Sequence, residues 1–186
     1  MKTSYTNKQK LQRLTTAGVL AALSLVLMAT IRFPIFPSAP FYEMEFSDVP
    51  ILLCSSLLGP VYSVVTLFIV CLIQTLFFSS SSGIIGFVMH LISSGLTILV
   101  VYFVRKKIDG LKGVLISNLL GVIVMTLVMI PMNMWLTSVF MNLAVTDFLK
   151  GFLGVCIGFN LIKAGCNVLL YNILSPKITK EYNKLF

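Results

Sequence analysis

The chain has 186 residues, 58% of them hydrophobic and 11% charged, with a mean hydropathy of +0.99 and a formal net charge of +8. That balance leaves too little polar surface for a soluble domain of this size and too much apolar length for a monotopic anchor, so an all-α integral membrane protein is expected. The basic residues cluster at the ends of apolar runs, where topology rules place them, which argues against nucleic acid as their partner.

Residues 1–13 are polar and basic, and the apolar run behind them has no small-residue cleavage pattern, so it reads as a retained first span over about 11–31. Within it, Ala17-Gly18-Val-Leu-Ala21-Ala22 gives two overlapping small-xxx-small pairs, Ala17/Ala21 and Gly18/Ala22. Such pairs let a second helix approach closely, from within the chain or from a partner. Arg32 with Pro34, Pro37 and Pro40 stops the span, because three prolines forbid continued helix.

A loop follows through Phe41-Tyr42-Glu43-Met44-Glu45-Phe46-Ser47-Asp48, where Ser47 or Asp48 suits a helix cap and Pro50 an early helical position. The second span, 49–58, is short and closes at Gly59-Pro60; it must be tilted or start at the mouth of a cavity. The third covers 61–78. The serine tract 79–82 with Gly83 is a loop, and the fourth span, 84–104, ends at Arg105-Lys106-Lys107. The fifth covers 111–135, with Pro131 one turn before its end, where a kink would free backbone carbonyls. Residues 137–150 form an outer loop, and the sixth span, 151–174, is broken by Ser175-Pro176.

Six crossings with both termini cytoplasmic bring Lys2, Lys8, Lys10 and Arg13, then Arg105, Lys106, Lys107 and Lys112, then Lys177, Lys180 and Lys184 to one side. Glu43, Glu45, Asp48 and Asp147 then face outward. No internal repeat divides the chain, so 1–186 is one membrane domain and an inverted-repeat transporter is poorly supported.

The sixth span holds the most informative residue. Lys163 lies well inside it, and a lysine there costs at least about 2.5 to 3.5 kcal/mol on insertion scales, so it must face the bundle interior and meet a partner. Asn160, Lys163 and Asn167 follow at spacings of three and four, on one helical stripe. Asn133 stands beside Pro131 and Trp135 in the fifth span; His90, followed by Ser93, Ser94 and Thr97, gives a polar stripe in the fourth. Polar residues in spans often only bridge helices, and Trp135 suits an interfacial belt as well as a ring stacked on a flat ligand. Cys54, Cys71, Cys156 and Cys166 have neither metal-ligand nor disulfide spacing and read as small hydrophobes. There is no P-loop, no HExxH and no nucleophile motif around the one histidine, so neither a catalytic residue nor a metal site is expected.

Three stretches taken together, Glu45-Phe46-Ser47-Asp48-Val49-Pro50, Leu58-Gly59-Pro60 and Gly158-Phe159-Asn160-Leu161-Ile162-Lys163, resemble the substrate-binding S components of energy-coupling-factor (ECF) vitamin transporters, above all the riboflavin type. The resemblance implies a six-helix fold in the cell membrane, a vitamin pocket near the extracellular face and a loop between spans one and two that covers it. It places flavin contacts on Asn160, Lys163, Asn133 and the lid residues Tyr42, Glu43, Met44 and Glu45. His90 stands where the family carries an asparagine, and Val70-Cys71-Leu72-Ile73-Gln74 stands where relatives have a Lys-Asn pair. It also implies docking of a transmembrane coupling protein, itself joined to two ATPase subunits, at Ala17 and Ala21. No cofactor is expected; riboflavin would be the transported ligand. The alternatives are an S component for another vitamin, a self-sufficient transporter or channel, which would need a polar path continuing past Asn167, and a membrane enzyme, which would need paired catalytic side chains.

Overall fold

The computed structural model describes residues 6–78 and 83–185; Lys2 and the serine tract 79–82 lie outside them. The described residues are mostly helical, with one small β-pair. Among them five helices are long and apolar enough to cross a membrane: α1 (Asn7–Thr30), α3 (Pro60–Phe77), α4 (Gly83–Lys107), α5 (Gly110–Met132) and its extension, and α8 (Leu153–Leu185). A shorter apolar helix, α2 (Asp48–Leu58), lies among them. Large apolar side chains such as Leu23, Phe68, Leu119 and Leu169 remain exposed, as expected of surfaces turned to lipid rather than water.

The start of α1 and the last part of α8 lie at one end of the bundle. There Ala17 and Leu20 of α1, Leu58 of α2, Val101 of α4 and Tyr171 of α8 share a single apolar core, against which Ile178 and Tyr182 also pack. Arg13 donates to the Leu58 carbonyl, and Arg105 to the Tyr171 hydroxyl and the Asn172 amide oxygen. Helix α1 starts at a reciprocal cap in which the Thr6 hydroxyl and the Gln9 side chain each satisfy the other's backbone N–H.

The length of α2 has a physical explanation. Its 11 residues span about 16 Å at 1.5 Å per residue, well short of a hydrocarbon core of about 30 Å. The Leu58 carbonyl meets Arg13 near one end of the bundle, whereas Glu45, three residues before the helix, meets Lys163 inside it. The chain therefore descends into the bundle as irregular lid before it becomes helical, and α2 fills only the remaining depth. Of its eleven residues only Ser56 and Leu57 escape full burial. Gly59, at φ 93°, then makes the turn that a side chain would strain, and Pro60 opens α3.

Several expectations need correction. The fold is not purely α: the stop after α1 contains β1 (Phe33–Pro34) paired antiparallel with β2 (Glu43–Met44), short enough for prolines to mask it. Neither Ser47 nor Asp48 caps α2 with its side chain; Ser47 gives its carbonyl to Ser24, and Asp48 turns to His90. The stretch read as outer loop 137–150 is mostly helical. Beyond α5 a five-residue π-helical turn (Asn133–Thr137) leads into α6 (Ser138–Met141), and α7 (Val145–Gly151) precedes α8. The turn follows Pro131, whose missing N–H loosens the ladder there. Pro176 does not end the last span either: it sits inside α8, which continues to Leu185.

Candidate functional site

Between the lid, α3, α4, α5, the π-turn and α8 lies a cavity of about 410 Å³. Its lining includes Tyr42, Glu43 and Glu45 of the lid, His90 of α4, Asn133 of the π-turn, and Asn160 and Lys163 of α8, together with Phe159, Met125, Met129, Arg32 and Gln74. The expected site residues are thus brought to one hollow, with one exception: Met44 is buried, 2% exposed, and is not among the lining. Trp135 is also outside it, 74% exposed on the bundle surface, so it cannot stack on anything the cavity holds.

The Lys163 ammonium finds its partner 118 residues away in sequence, donating to Glu45 Oε1 at 2.9 Å. Glu45 is 4% exposed and Asp48 6%, so both acids lie within the bundle rather than on its surface. Glu45 Oε1 also lies 3.9 Å from His90 Nδ1, and the Asn167 amide donates to the Glu45 carbonyl at 3.0 Å. Burial works against the Glu45 charge, and Lys163 and His90 stand beside it to offset that cost. An ammonium and a carboxylate this deep are each tolerated only because the other is present.

His90 is held from both sides, Nδ1 at 2.6 Å from Gln74 Oε1 and Nε2 at 3.1 Å from Asp48 Oδ1. Asn133 is engaged at both ends of its amide: the nitrogen donates to the Met129 carbonyl at 2.8 Å, and the oxygen accepts from Tyr42 at 2.7 Å and Thr137 at 2.8 Å. The Tyr42 ring stacks on Phe159 with centroids 5.0 Å apart, and the lid's Phe41 and Ala39 join Phe148 and Phe152 in an aromatic cluster. The lid is fastened further by Arg32, which pairs with Glu43 and donates to the Phe78 carbonyl at 3.1 Å.

Asn160 differs from its neighbours. It is wholly buried on the cavity wall and its nitrogen donates to the Cys156 carbonyl at 2.8 Å, yet its Oδ1 has no partner among the described residues. A buried amide oxygen without a donor costs about 1–3 kcal/mol, so a solute carrying an N–H or O–H has something to gain there. Lys163, with two further hydrogens, supplies the complementary donor one turn along the same helix.

Sequence reasoning missed Arg32, read only as part of a helix stop, and Gln74, noted only as a departure from the family. It also missed that Asp48 would hold His90. For Asp48 and His90 the available signal was the need of a histidine within a span for a polar partner.

Apolar helices enclosing a hollow that is aromatic on its walls and polar at a few fixed points define a membrane-embedded solute-binding protein. Residues 12–175 match the family described as ECF transporter, substrate-specific component, and the chain belongs to it. This is a transport family, and the chain is not an enzyme. It is 33% identical over 126 residues to the riboflavin transporter FmnP of Bacillus subtilis, covering 67% of this chain and 65% of that protein. It is 31% identical over 128 residues to the riboflavin transporter RibU of Lactococcus lactis subsp. cremoris, covering 68% of this chain and 62% of that protein. The alignments thus span somewhat less than two thirds of these two relatives. Against the riboflavin transporter RibU of Staphylococcus aureus it is 31% identical over 186 residues, covering 96% of each. A solved structure of the S component of a bacterial ECF transporter superposes with a TM-score of 0.81 at 25% identity, covering 93% of this chain and 98% of that one.

Proposed function

We propose that this chain is the substrate-binding subunit of an ECF importer in the cell membrane, and that the ligand it captures is riboflavin. The observation that carries the reading is the pairing, in one cavity, of an open buried acceptor at Asn160 Oδ1 with a donor at Lys163, beside the Tyr42 and Phe159 rings. A flat heteroaromatic ring that presents an N–H next to a carbonyl matches that acceptor and donor, and its faces match the apolar walls. Asn133 and Glu45 contribute by fixing Tyr42 and Lys163, and Glu43 by holding Arg32 at the rim. Met44, buried beside Glu43 and Glu45, holds the lid strand in register with Phe33.

In this reading the short α2 and the lid together complete one of six crossings, and both termini lie in the cytoplasm. The basic clusters support that orientation, since Arg13, Arg105 and Lys177 belong to the termini end of the bundle. The cavity then opens toward the outside. Delivery inward depends on a transmembrane coupling protein with two ATPase subunits, and that protein rests on the small-residue stripe of α1. Ala17 is buried and Ala21 half-buried at the floor of this stripe, while Gly18 and Ala22 beside them are exposed.

Purification from a riboflavin-replete host tests the ligand. The expected result is a yellow preparation with a flavin absorption band that disappears in Lys163→Ala; a colourless preparation that takes up no added riboflavin overturns the assignment.

A further inference from the structure

The two ends of the cavity differ chemically. Near α8 and the π-turn lie the stacked Tyr42 and Phe159 rings, with Met125 and Met129 opposite and the open Asn160 oxygen. Near α3 and α4 the wall carries Gln74, His90 and Ser93 beside Ile85, Gly86 and Met89, with Arg32 reaching the end of α3 through the Phe78 carbonyl. The first end takes a ring. The second has no aromatic side chain from these helices and a cluster of polar groups, which suits a flexible chain of hydroxyls.

At that second end the hydrogen-bonding capacity is specific. An amide oxygen and a carboxylate oxygen can only accept, so Gln74 Oε1 at 2.6 Å and Asp48 Oδ1 at 3.1 Å are both bonded when His90 carries a proton on each nitrogen, the form that the Asp48 carboxylate and Glu45 Oε1 at 3.9 Å favour. The imidazole therefore has no ring nitrogen left for a solute. It acts on Gln74 instead: with the oxygen held by His90, the amide nitrogen is the free end of that side chain, and among the described residues it has no partner. An amide on a half-buried helix face would otherwise rotate freely between presenting its donor and its acceptor. With His90 protonated on both nitrogens, the chain Asp48–His90–Gln74 removes that choice and leaves two N–H donors at the cavity wall, whereas a neutral ring would turn the amide oxygen there instead.

We infer that Gln74 is a specificity-determining residue that reads the hydroxylated tail of the ligand, and that His90 is the positioning residue that fixes its orientation. This deepens the riboflavin reading and rests on it. A site built to bond a hydroxyl discriminates strongly against an analogue that lacks it.

The test compares riboflavin with lumiflavin, which keeps the ring and has a methyl group in place of the polyol. Equilibrium binding is followed by quenching of flavin fluorescence with the full-length chain in detergent. Wild type binds riboflavin at least tenfold more tightly than lumiflavin. Gln74→Leu, similar in volume but without a donor, weakens riboflavin five- to twentyfold and leaves lumiflavin within twofold; lumiflavin binding doubles as the check that the variant is folded. His90→Phe, made together with Asp48→Asn so that no buried carboxylate is stranded, gives the same selective loss, whereas a merely structural histidine would weaken both ligands alike. The inference is overturned if wild type binds the two flavins equally, or if Gln74→Leu weakens both or neither. Failure of wild type to bind either flavin removes the riboflavin reading itself, and this inference with it.

Discussion

The two halves of the bundle differ in how their polar groups bond. At the termini end the arginines Arg13 and Arg105 reach across elements, but hydroxyls turn back on their own helices: Ser63 donates to the Pro60 carbonyl and Ser117 to Val114. Such bonds cost little and ask nothing of a neighbour, so the surrounding core is a close-packed apolar cluster. At the lid end, polar groups reach across elements: Lys163 to Glu45, Tyr42 to Asn133, His90 to Gln74 and Asp48. Long-range polar bonds in an apolar surrounding fix a shape, and here the shape is a hollow with one acceptor left open. One half is a support, and the other the proposed binding site, whose order depends on bonds between parts distant in sequence.

That contrast can be broken most sharply from the support side. Ala22→Trp, on the exposed stripe of α1, is expected to abolish ATP-driven uptake in reconstituted vesicles while riboflavin affinity stays within twofold of wild type. A parallel loss of affinity would mean that the halves are not separable. Next in size is Glu45→Ala, which strands the Lys163 ammonium inside the bundle and should lower stability by about 3–5 kcal/mol. Thermal unfolding in detergent measures it, and adding Lys163→Met to the same chain should recover most of the loss.

Tyr42→Phe removes a single lid bond to Asn133, so a smaller cost of about 0.5–1.5 kcal/mol is expected, with faster riboflavin release as the kinetic sign of a loosened lid. The smallest effect belongs to Trp135→Phe. The ring is exposed and away from the cavity, so affinity should not change, and a tenfold drop would place the ligand elsewhere than the hollow described above.

The parts of this organisation that were legible in the sequence are those set by local physics. Runs of apolar residues gave the long helices, the Gly59-Pro60 turn was marked by its own residues, and Lys163 announced a polar interior because a charge in a span needs a partner. Which partner it would find was not legible. Glu45 sits in a proline-rich segment that reads as outer loop, and only the descent of that segment into the bundle carries it to Lys163. Asp48 was misread for a related reason: an acid at a helix start suits the N-terminal dipole, and nothing local says that a histidine 42 residues on competes for it. Pro176 shows the limit of breaker rules, since helix α8 accommodates it in its interior. The helices in 137–150 are short, and the first continues a π-turn, so no run of periodicity was long enough to reveal them.

The most direct test of the central claim, that the buried Asn160 oxygen and Lys163 serve a captured solute, is a riboflavin titration of wild type and Asn160→Ala under identical detergent conditions, paired with their thermal unfolding curves without ligand. The account predicts saturable one-to-one binding by wild type and an affinity about ten- to a hundredfold weaker in Asn160→Ala, with ligand-free stability equal to or above that of wild type because an unsatisfied buried oxygen has been removed. Equal affinities, or weakened binding accompanied by a matching loss of stability, would contradict it.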